Sequence, residues 1–218
     1  MTDHDDHAHE HDHDHAPIVT SEAPSYYDIM EMAFQELITE KGYFTADEIR
    51  RQIEVLDSRN PALGAKVVAR AWTDTEFRGR LLENGRSACE ELGITFYDNT
   101  DLIVLENTPQ VHNLIVCTLC SCYPRPVLGL PPDWYKLKPY RARAVYEPRK
   151  VLEEFGTAIP DDVEIRVSDS TAIQRYLVLP MRPAGTDDLD EEQLAALVTR
   201  DAMIGVIQIK TPAQGVAV

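Results

Sequence analysis

The sequence predicts an α+β protein in which an N-terminal helical arm precedes a layered α-β-β-α domain. Capping signals and apolar residues at helical spacing fill the first third of the chain, whereas short alternating segments follow Gly93. The 218 residues, 44% of them hydrophobic, suffice for one sizeable core. We expect a disordered His/Asp-rich leader at residues 1–24, the helical arm at 25–93 and a metal-binding α+β catalytic domain at 94–218.

Helix-capping signals divide the arm into four predicted helices. Ser25 begins the first helix with a capping box that Asp28 completes. Thr73 is expected to cap the fourth helix, which carries apolar residues at helical spacing as far as Gly93. The four helices are expected at residues 25–42, 45–56, 60–72 and 73–93.

The second part of the chain mixes short strands with short helices. Apolar runs of four to seven residues between turn signals predict the strands, at residues 94–97, 102–106, 112–116, 164–167, 174–179 and 203–209. Helical patterns predict helices at residues 133–136, 147–155 and 191–199. Four prolines between residues 124 and 132 favour a rigid, extended path between the third strand and the next helix.

Composition excludes several classes of function. A formal net charge of −16 argues against nucleic acid as a partner, because phosphate contacts need clustered Lys and Arg. No apolar run approaches the ~20 residues of a membrane span, and no secretory signal is evident, so we expect a cytoplasmic protein. Six of the seven histidines lie in the leader, so His112 is the one histidine in residues 25–218. A zinc hydrolase that needs several His ligands is therefore disfavoured.

Three of the four cysteines crowd into residues 117–122, here called the cysteine segment. Cys120 and Cys122 flank two consecutive backbone amides, those of Ser121 and Cys122. With both amides deprotonated, this tripeptide can hold a metal in one plane through two sulfurs and two nitrogens. Cys117, about one turn earlier, can add an axial sulfur and leave one position open for water or substrate.

The donor set points to a particular kind of metal. Thiolates and amide nitrogens suit low-spin trivalent cobalt or iron better than zinc, magnesium or calcium. Such an ion can acidify a bound water or polarise a bound nitrile, which is hydration chemistry without a His base. From the spacing alone, a dithiol redox site and a zinc site completed by His112 stay open as alternatives.

Residues 116–122 and the following residues 126–136 resemble the α subunit of nitrile hydratases. The similarity extends from about Ser25 to Ile209 and includes residues 140–143, 154–156, 162–167, 182–186 and 199–201. The resemblance implies an enzyme that hydrates small nitriles to amides. It also implies that the metal ligands are Cys117, Cys120, Ser121 and Cys122, with Cys120 and Cys122 as the catalytic residues.

The same resemblance has implications for the cofactor and the partners. In that family the middle cysteine is oxidised to sulfinic acid and the last to sulfenic acid, here Cys120 and Cys122, and a β subunit supplies arginines that hold these groups. An α2β2 assembly and a metal-insertion activator protein are expected. Thr118, where other members have Ser, is typical of the cobalt members, so Co(III) is expected rather than Fe(III).

Arg125 departs from the nitrile hydratase pattern. Many members have Trp at this position, and residues 123–126 together with the His/Asp-rich leader also resemble the γ subunit of thiocyanate hydrolase. A cation near the site favours a small or anionic substrate. Residues 130–136 are closer to the nitrile hydratases, so nitrile hydration is the expected function and thiocyanate hydrolysis is the alternative.

Overall fold

The computed structural model describes residues 24–97 and 99–210, so the predicted leader lies almost wholly outside the described residues. The mixture of helices and strands confirms the α+β class. In chain order the elements are α1 (Tyr26–Glu40), α2 (Ala46–Asp57), α3 (Pro61–Thr73), α4 (Thr75–Glu83), α5 (Gly85–Glu91), β1 (Asp101–Glu106), β2 (Val111–Val116), α6 (Arg125–Leu128), α7 (Asp133–Lys136), α8 (Lys138–Tyr146), α9 (Pro148–Glu154), β3 (Glu164–Asp169), β4 (Gln174–Leu179), α10 (Glu191–Leu197) and α11 (Arg200–Ile204).

The chain divides into two compact packing units, Met1–Arg50 and Arg51–Val218. In the first unit, the capping box of Ser25 and Asp28 begins α1 as predicted, and no residue of this helix is buried. Helices α3, α4 and α5 lie in the second unit with all the strands. The predicted domain limits at residues 24 and 93 stay predictions, because a packing unit is not the same as an independently folding domain.

Two parallel strand pairs form the centre of the second unit. β1 pairs with β4, β2 pairs with β3, and β2 also contacts β4. Helices α4 and α5 pack against β1, whereas α8 and α9 pack against β2 and β3. The helices and strands therefore form the layered α-β-β-α arrangement that the sequence predicts.

The most buried strand leads directly into the cysteine segment. Every residue of β2 after Val111 is buried, as is typical of parallel strands covered on both faces. Burial continues through Cys117, but Thr118, Leu119 and Cys120 are exposed. The cysteine segment thus starts inside the core and turns outward within three residues, at the carboxyl end of a fixed strand.

Aromatic packing fixes the helices that surround this strand end. The ring of Trp134 meets those of Tyr140 and Phe155 edge-on, each at a centroid distance of 4.8 Å. Tyr140 is buried, and its hydroxyl donates a hydrogen bond of 2.7 Å to the carbonyl oxygen of Ile115 in β2. These contacts hold α7 and α8 beside the start of the cysteine segment.

The predicted fourth helix is wrong in its cap and in its length. Asp74, not Thr73, caps α4 by accepting from the N–H of Phe77 at 2.9 Å. The helix then ends at Asn84, whose side chain caps a separate helix, α5, through the N–H of Ser87 at 3.0 Å. Glycine at position 85 lets α5 begin this close to β1. Any side chain there would clash, because its β-carbon would lie 2.5 Å from the carbonyl oxygen of Leu102.

Two predicted strands are also wrong. Residues 94–97 form no strand, although Ile94 and Phe96 bury their side chains in the core. Residues 200–204 form helix α11, which Thr199 caps and Gly205 ends in a left-handed conformation (φ 92°). The apolar run at 203–209 misled the prediction because a short buried helix and a buried strand have similar composition.

The proline-rich segment after the cysteines is less extended than predicted. Pro126 lies within the short helix α6, and Pro132 precedes α7, which is confirmed at residues 133–136. Helix α8 follows at once and was not predicted. Proline is compatible with the first turn of a helix, so these residues begin helices here. In the described part of the chain, no helix has the length and apolar character needed to cross a membrane.

Replacing Gly205 with alanine should destabilise the protein strongly. Its φ of 92° disfavours any side chain, and a β-carbon would clash with the carbonyl oxygen of Asn113. We expect Gly205→Ala to lower the free energy of unfolding by about 2 kcal/mol or more, measured by urea denaturation. Gly79→Ala is the control: nothing lies within 4 Å of that position in α4, so alanine should be neutral or stabilising. Equal losses of unfolding free energy in the two variants would contradict this account of Gly205.

Candidate metal centre

The three sulfurs of the cysteine segment lie together. The Sγ atom of Cys120 is 3.4 Å from that of Cys117 and 3.2 Å from that of Cys122. All three lie within 4.8 Å of one another, and they form the candidate metal-ligating group found among the described residues. Cys117 is buried, Cys122 is half-buried and Cys120 is exposed, so the group opens toward the surface on one side.

The backbone amides of the segment face the same point. The pKa of the Cys120 thiol is lowered to about 7 by hydrogen bonds with Cys122 and Cys117 and by the backbone N–H groups of Cys122 and Ser121. The pKa of Cys122 is raised to about 12 by burial and by its contact with Cys120. The three sulfurs thus lie together, with the N–H groups of Ser121 and Cys122 near the sulfur of Cys120, which fits a metal held by thiolate and amide donors.

Side chains from three other elements hold the main chain of the cysteine segment. Asp169, the last residue of β3, accepts from the N–H of Thr118 at 2.9 Å and from its hydroxyl at 2.5 Å. Arg141 on α8 donates to the carbonyl oxygen of Cys120 at 2.9 Å. Tyr135 on α7 donates to the carbonyl oxygen of Cys122 at 2.9 Å. The loop is fixed by its surroundings as well as by its own sequence.

A cavity of about 400 Å³ opens beside Cys120, Ser121 and Cys122. Three arginines are among its described lining residues: Arg59, Arg125 and Arg175. The positive charge of Arg175 lowers the pKa of Cys122, against the larger effect of burial. The cavity is therefore an electropositive pocket that presents the outer two cysteines to small molecules.

The guanidinium groups of this cavity are positioned in different ways. Arg59 lies over the ring of Tyr97, 5.0 Å from its centroid, as in a cation–π contact. Arg175 donates to the carbonyl oxygens of Thr171 and Gln174, next to the start of β4. Arg125 begins α6 and is exposed. Positive charge therefore lines the cavity from the loop between α2 and α3, from α6 and from β4.

His112 and Cys89 take no part in the group. Nε2 of His112 is hydrogen-bonded to the carbonyl oxygen of Gly205 at 2.7 Å, and burial lowers its pKa. The zinc alternative therefore loses its proposed fourth ligand. Cys89 is buried in α5, where burial raises its pKa to about 12.

Sequence reasoning missed several residues that shape the centre. Asp169 could have been found, because it follows a predicted strand and parallel strands end at one edge of a sheet. Arg141 and Arg175 gave no such signal, since their roles depend on how a helix and a strand end lie against the cysteine segment.

Comparison with known proteins gives a consistent result. The family model described as "Nitrile hydratase, alpha chain" matches residues 25–207. The chain is 55% identical over 183 residues to the low-molecular weight cobalt-containing nitrile hydratase subunit alpha of Rhodococcus rhodochrous, covering 84% of this chain and 88% of that protein.

Two further relatives mark the range of similarity. The chain is 44% identical over 202 residues to the thiocyanate hydrolase subunit gamma of Thiobacillus thioparus, covering 88% of this chain and 82% of that protein. Among solved structures, a double mutant of the Fe-type nitrile hydratase from Comamonas testosteroni Ni1 superposes with a TM-score of 0.78 at 43% identity. That match covers 88% of this chain and 98% of the other.

Alkylation of the metal-free chain should distinguish Cys120 from Cys89. Because only the thiolate reacts, the rate at Cys120 should rise with pH through the pKa of about 7 and level off above it. Cys89, buried and with a pKa raised to about 12, should stay unmodified until the protein unfolds. Iodoacetamide labelling followed by peptide mass spectrometry tests this. Faster labelling of Cys89 than of Cys120 at neutral pH would contradict the arrangement.

Proposed function

Because this chain belongs to the nitrile hydratase α-chain family, we propose that it is the metal-bearing subunit of an enzyme that hydrates nitriles to amides. The observation that carries the proposal is the grouping of three sulfurs within 4.8 Å of one another, with the N–H groups of Ser121 and Cys122 near the sulfur of Cys120. The proposed ligands are Cys117, Cys120, Ser121 and Cys122. The proposed metal is low-spin Co(III), which the cobalt-containing relatives favour over Fe(III).

The donor set fits such a metal. Thiolates and amide nitrogens are strong-field ligands, which suit a low-spin trivalent ion, and Cys117, Cys120, Ser121 and Cys122 would hold it. A trivalent ion held there supplies a Lewis acid that makes a nitrile carbon open to attack by an oxygen nucleophile. Buried Cys117 fixes the rear of the site, whereas Cys120 and Cys122 face the side from which substrate enters.

Oxidised cysteines form part of the proposed active state. In it, Cys120 carries two added oxygens as a sulfinic acid and Cys122 carries one as a sulfenic acid. The sulfenate oxygen of Cys122 or a hydroxide is the proposed nucleophile toward the nitrile carbon. Arg175 already places a positive charge near Cys122, and such a charge would favour an oxidised sulfur anion there.

A second subunit is part of the proposal. Leu119, within the cysteine segment, and Tyr146 on α8 are each 88% exposed. Tyr27 and Phe34 on α1 are also largely exposed, and such apolar surface is typical of subunit interfaces. We propose a β subunit as the partner, in an α2β2 assembly, and an activator protein that loads the metal. A cytoplasmic location is part of the same proposal.

Replacing the outer cysteines should abolish both metal binding and activity. Cys120→Ser or Cys122→Ser removes a thiolate from the ligand set, so the purified αβ complex should lose cobalt and amide formation by at least about a hundredfold. Cys89→Ser is the control and should keep both. Elemental mass spectrometry and product assays measure the two effects, and peptide mass spectrometry of wild-type protein should show two added oxygens on Cys120 and one on Cys122.

Three outcomes would contradict the proposal. Zinc in place of cobalt, or three unmodified thiols in active protein, would remove the proposed chemistry. Reversible oxidation between Cys117 and Cys120, with no bound cobalt, would favour the dithiol redox alternative, since their sulfurs are 3.4 Å apart.

Thiocyanate hydrolysis is the second candidate function, and Arg125 is the observation that favours it. This residue lines the cavity beside the cysteines together with Arg59 and Arg175, so a small anion would meet three positive charges there. The 44% identity to a thiocyanate hydrolase γ subunit is in line with this candidate. The higher identity to nitrile hydratase α subunits favours nitriles.

The Arg125→Trp variant separates the two candidates. For a nitrile hydratase, removing an exposed cation should leave turnover of a small aliphatic nitrile within about threefold of wild type. For a thiocyanate hydrolase, losing one of the charges that attract the anion should raise KM for thiocyanate by about tenfold or more. Lys138→Met, which removes a cation from a different cavity, is the control. Wild-type turnover of thiocyanate above that of the nitrile would overturn the preference for nitriles.

A further inference from the structure

We propose that Arg141 is a positioning residue of the metal centre: it fixes the plane of the Cys120–Ser121 peptide so that the Ser121 nitrogen faces the sulfur of Cys120. The inference rests on the proposed function, because that function makes the Ser121 nitrogen a ligand. The contact that suggests this role does not depend on that function: Nη1 of Arg141 donates a hydrogen bond of 2.9 Å to the carbonyl oxygen of Cys120.

Peptide geometry connects this hydrogen bond to the amide. A trans peptide is planar, and its carbonyl oxygen and N–H group point to opposite sides. The structure has no cis peptide among its described residues. When Arg141 holds the Cys120 oxygen on one side, the N–H of Ser121 must point to the other side, where it meets the sulfur of Cys120.

The cysteine segment borders two cavities. Thr118 and Leu119 line one of them together with Arg141 and Lys138, here called the rear cavity. Cys120, Ser121 and Cys122 line the electropositive cavity. Arg141 therefore contacts the segment from a cavity other than the one at which the outer cysteines are presented.

Helix α8 is well placed to supply such a fixed donor. Tyr140, the residue before Arg141, anchors the helix to β2 through the carbonyl oxygen of Ile115. Consecutive residues of one helix thus hold main-chain oxygens on both sides of Cys117. A donor on a rigid, packed helix orients its acceptor better than one on a loop.

Its neighbour Arg143 shows the contrast between an ion-pairing and a positioning arginine. Arg143 pairs with Glu147 at 2.5 Å and with Glu154 at 2.6 Å, on the surface of α8 and α9. Arg141 contacts the cysteine segment instead, and its Nε atom is buried without a hydrogen-bond partner among the described residues. Burying part of a guanidinium costs free energy, so an apolar residue would serve a purely structural role better.

Hydrogen exchange and cobalt release together test this role. Amide exchange of the peptide covering residues 117–123 is measured in the full chain purified from cells grown without added cobalt. Release of cobalt to a chelator is measured in the loaded αβ complex. Arg141→Gln should accelerate both by about tenfold or more, the effect of losing a hydrogen bond from a charged donor. Arg141→Lys, which keeps a charged donor, should restore part of the difference.

Lys138→Met is the matched control, because it removes a cation from the rear cavity that, among the described residues, makes no hydrogen bond to the cysteine segment. This variant should show the wild-type rate of amide hydrogen exchange and the wild-type rate of cobalt release. Wild-type rates in Arg141→Gln would overturn the inference. A general rise in exchange that includes β1 and β4 would also overturn it, because Arg141 would then support the fold and not the centre. A wild-type complex without cobalt would defeat the proposed function instead, and the exchange contrast in the metal-free chain would still decide the role of Arg141.

Discussion

The hydrogen bonds that hold the main chain of the cysteine segment are the interaction on which the site depends. A metal that binds through backbone nitrogens needs a loop whose peptide planes are already oriented, and a free loop would lose much conformational entropy on binding. Asp169, Arg141 and Tyr135 each hold one peptide of the segment from a different element. The strand, helix and loop around Cys117 matter to the chemistry mainly because they bring these three side chains to one place.

Charge is distributed in a way that fits this centre. The chain as a whole is strongly acidic, with a net charge of −16, yet arginines line the cavity at the outer cysteines. Three thiolates and two amide nitrogens would give the ligand set more negative charge than a trivalent ion cancels. Arginines around it offset the excess and favour the oxidised sulfur anions of the proposed active state. The same cations attract an anionic substrate, which is why Arg125 bears on the choice between nitrile and thiocyanate.

Local chemistry made much of the fold and site predictable. The cysteine spacing identified the candidate ligands, and the capping box at Ser25 began α1 as expected. The misses came from tertiary packing: Gly85 lets a helix restart against the carbonyl oxygen of Leu102, and Gly205 ends a helix where an apolar run favoured a strand. Arg141 was missed for the same reason, because its hydrogen bond to the segment joins residues 21 positions apart and has no sequence signature.

Cobalt K-edge X-ray absorption of the purified complex tests the central claim most directly, because it reports the atoms bound to the metal. Coordination through backbone nitrogens as well as cysteine sulfurs predicts a mixed shell of about three sulfurs and two or three lighter atoms around a low-spin trivalent ion. A shell of sulfur alone, or of oxygen and nitrogen without sulfur, would contradict the claim that the cysteine segment holds the metal through its main chain.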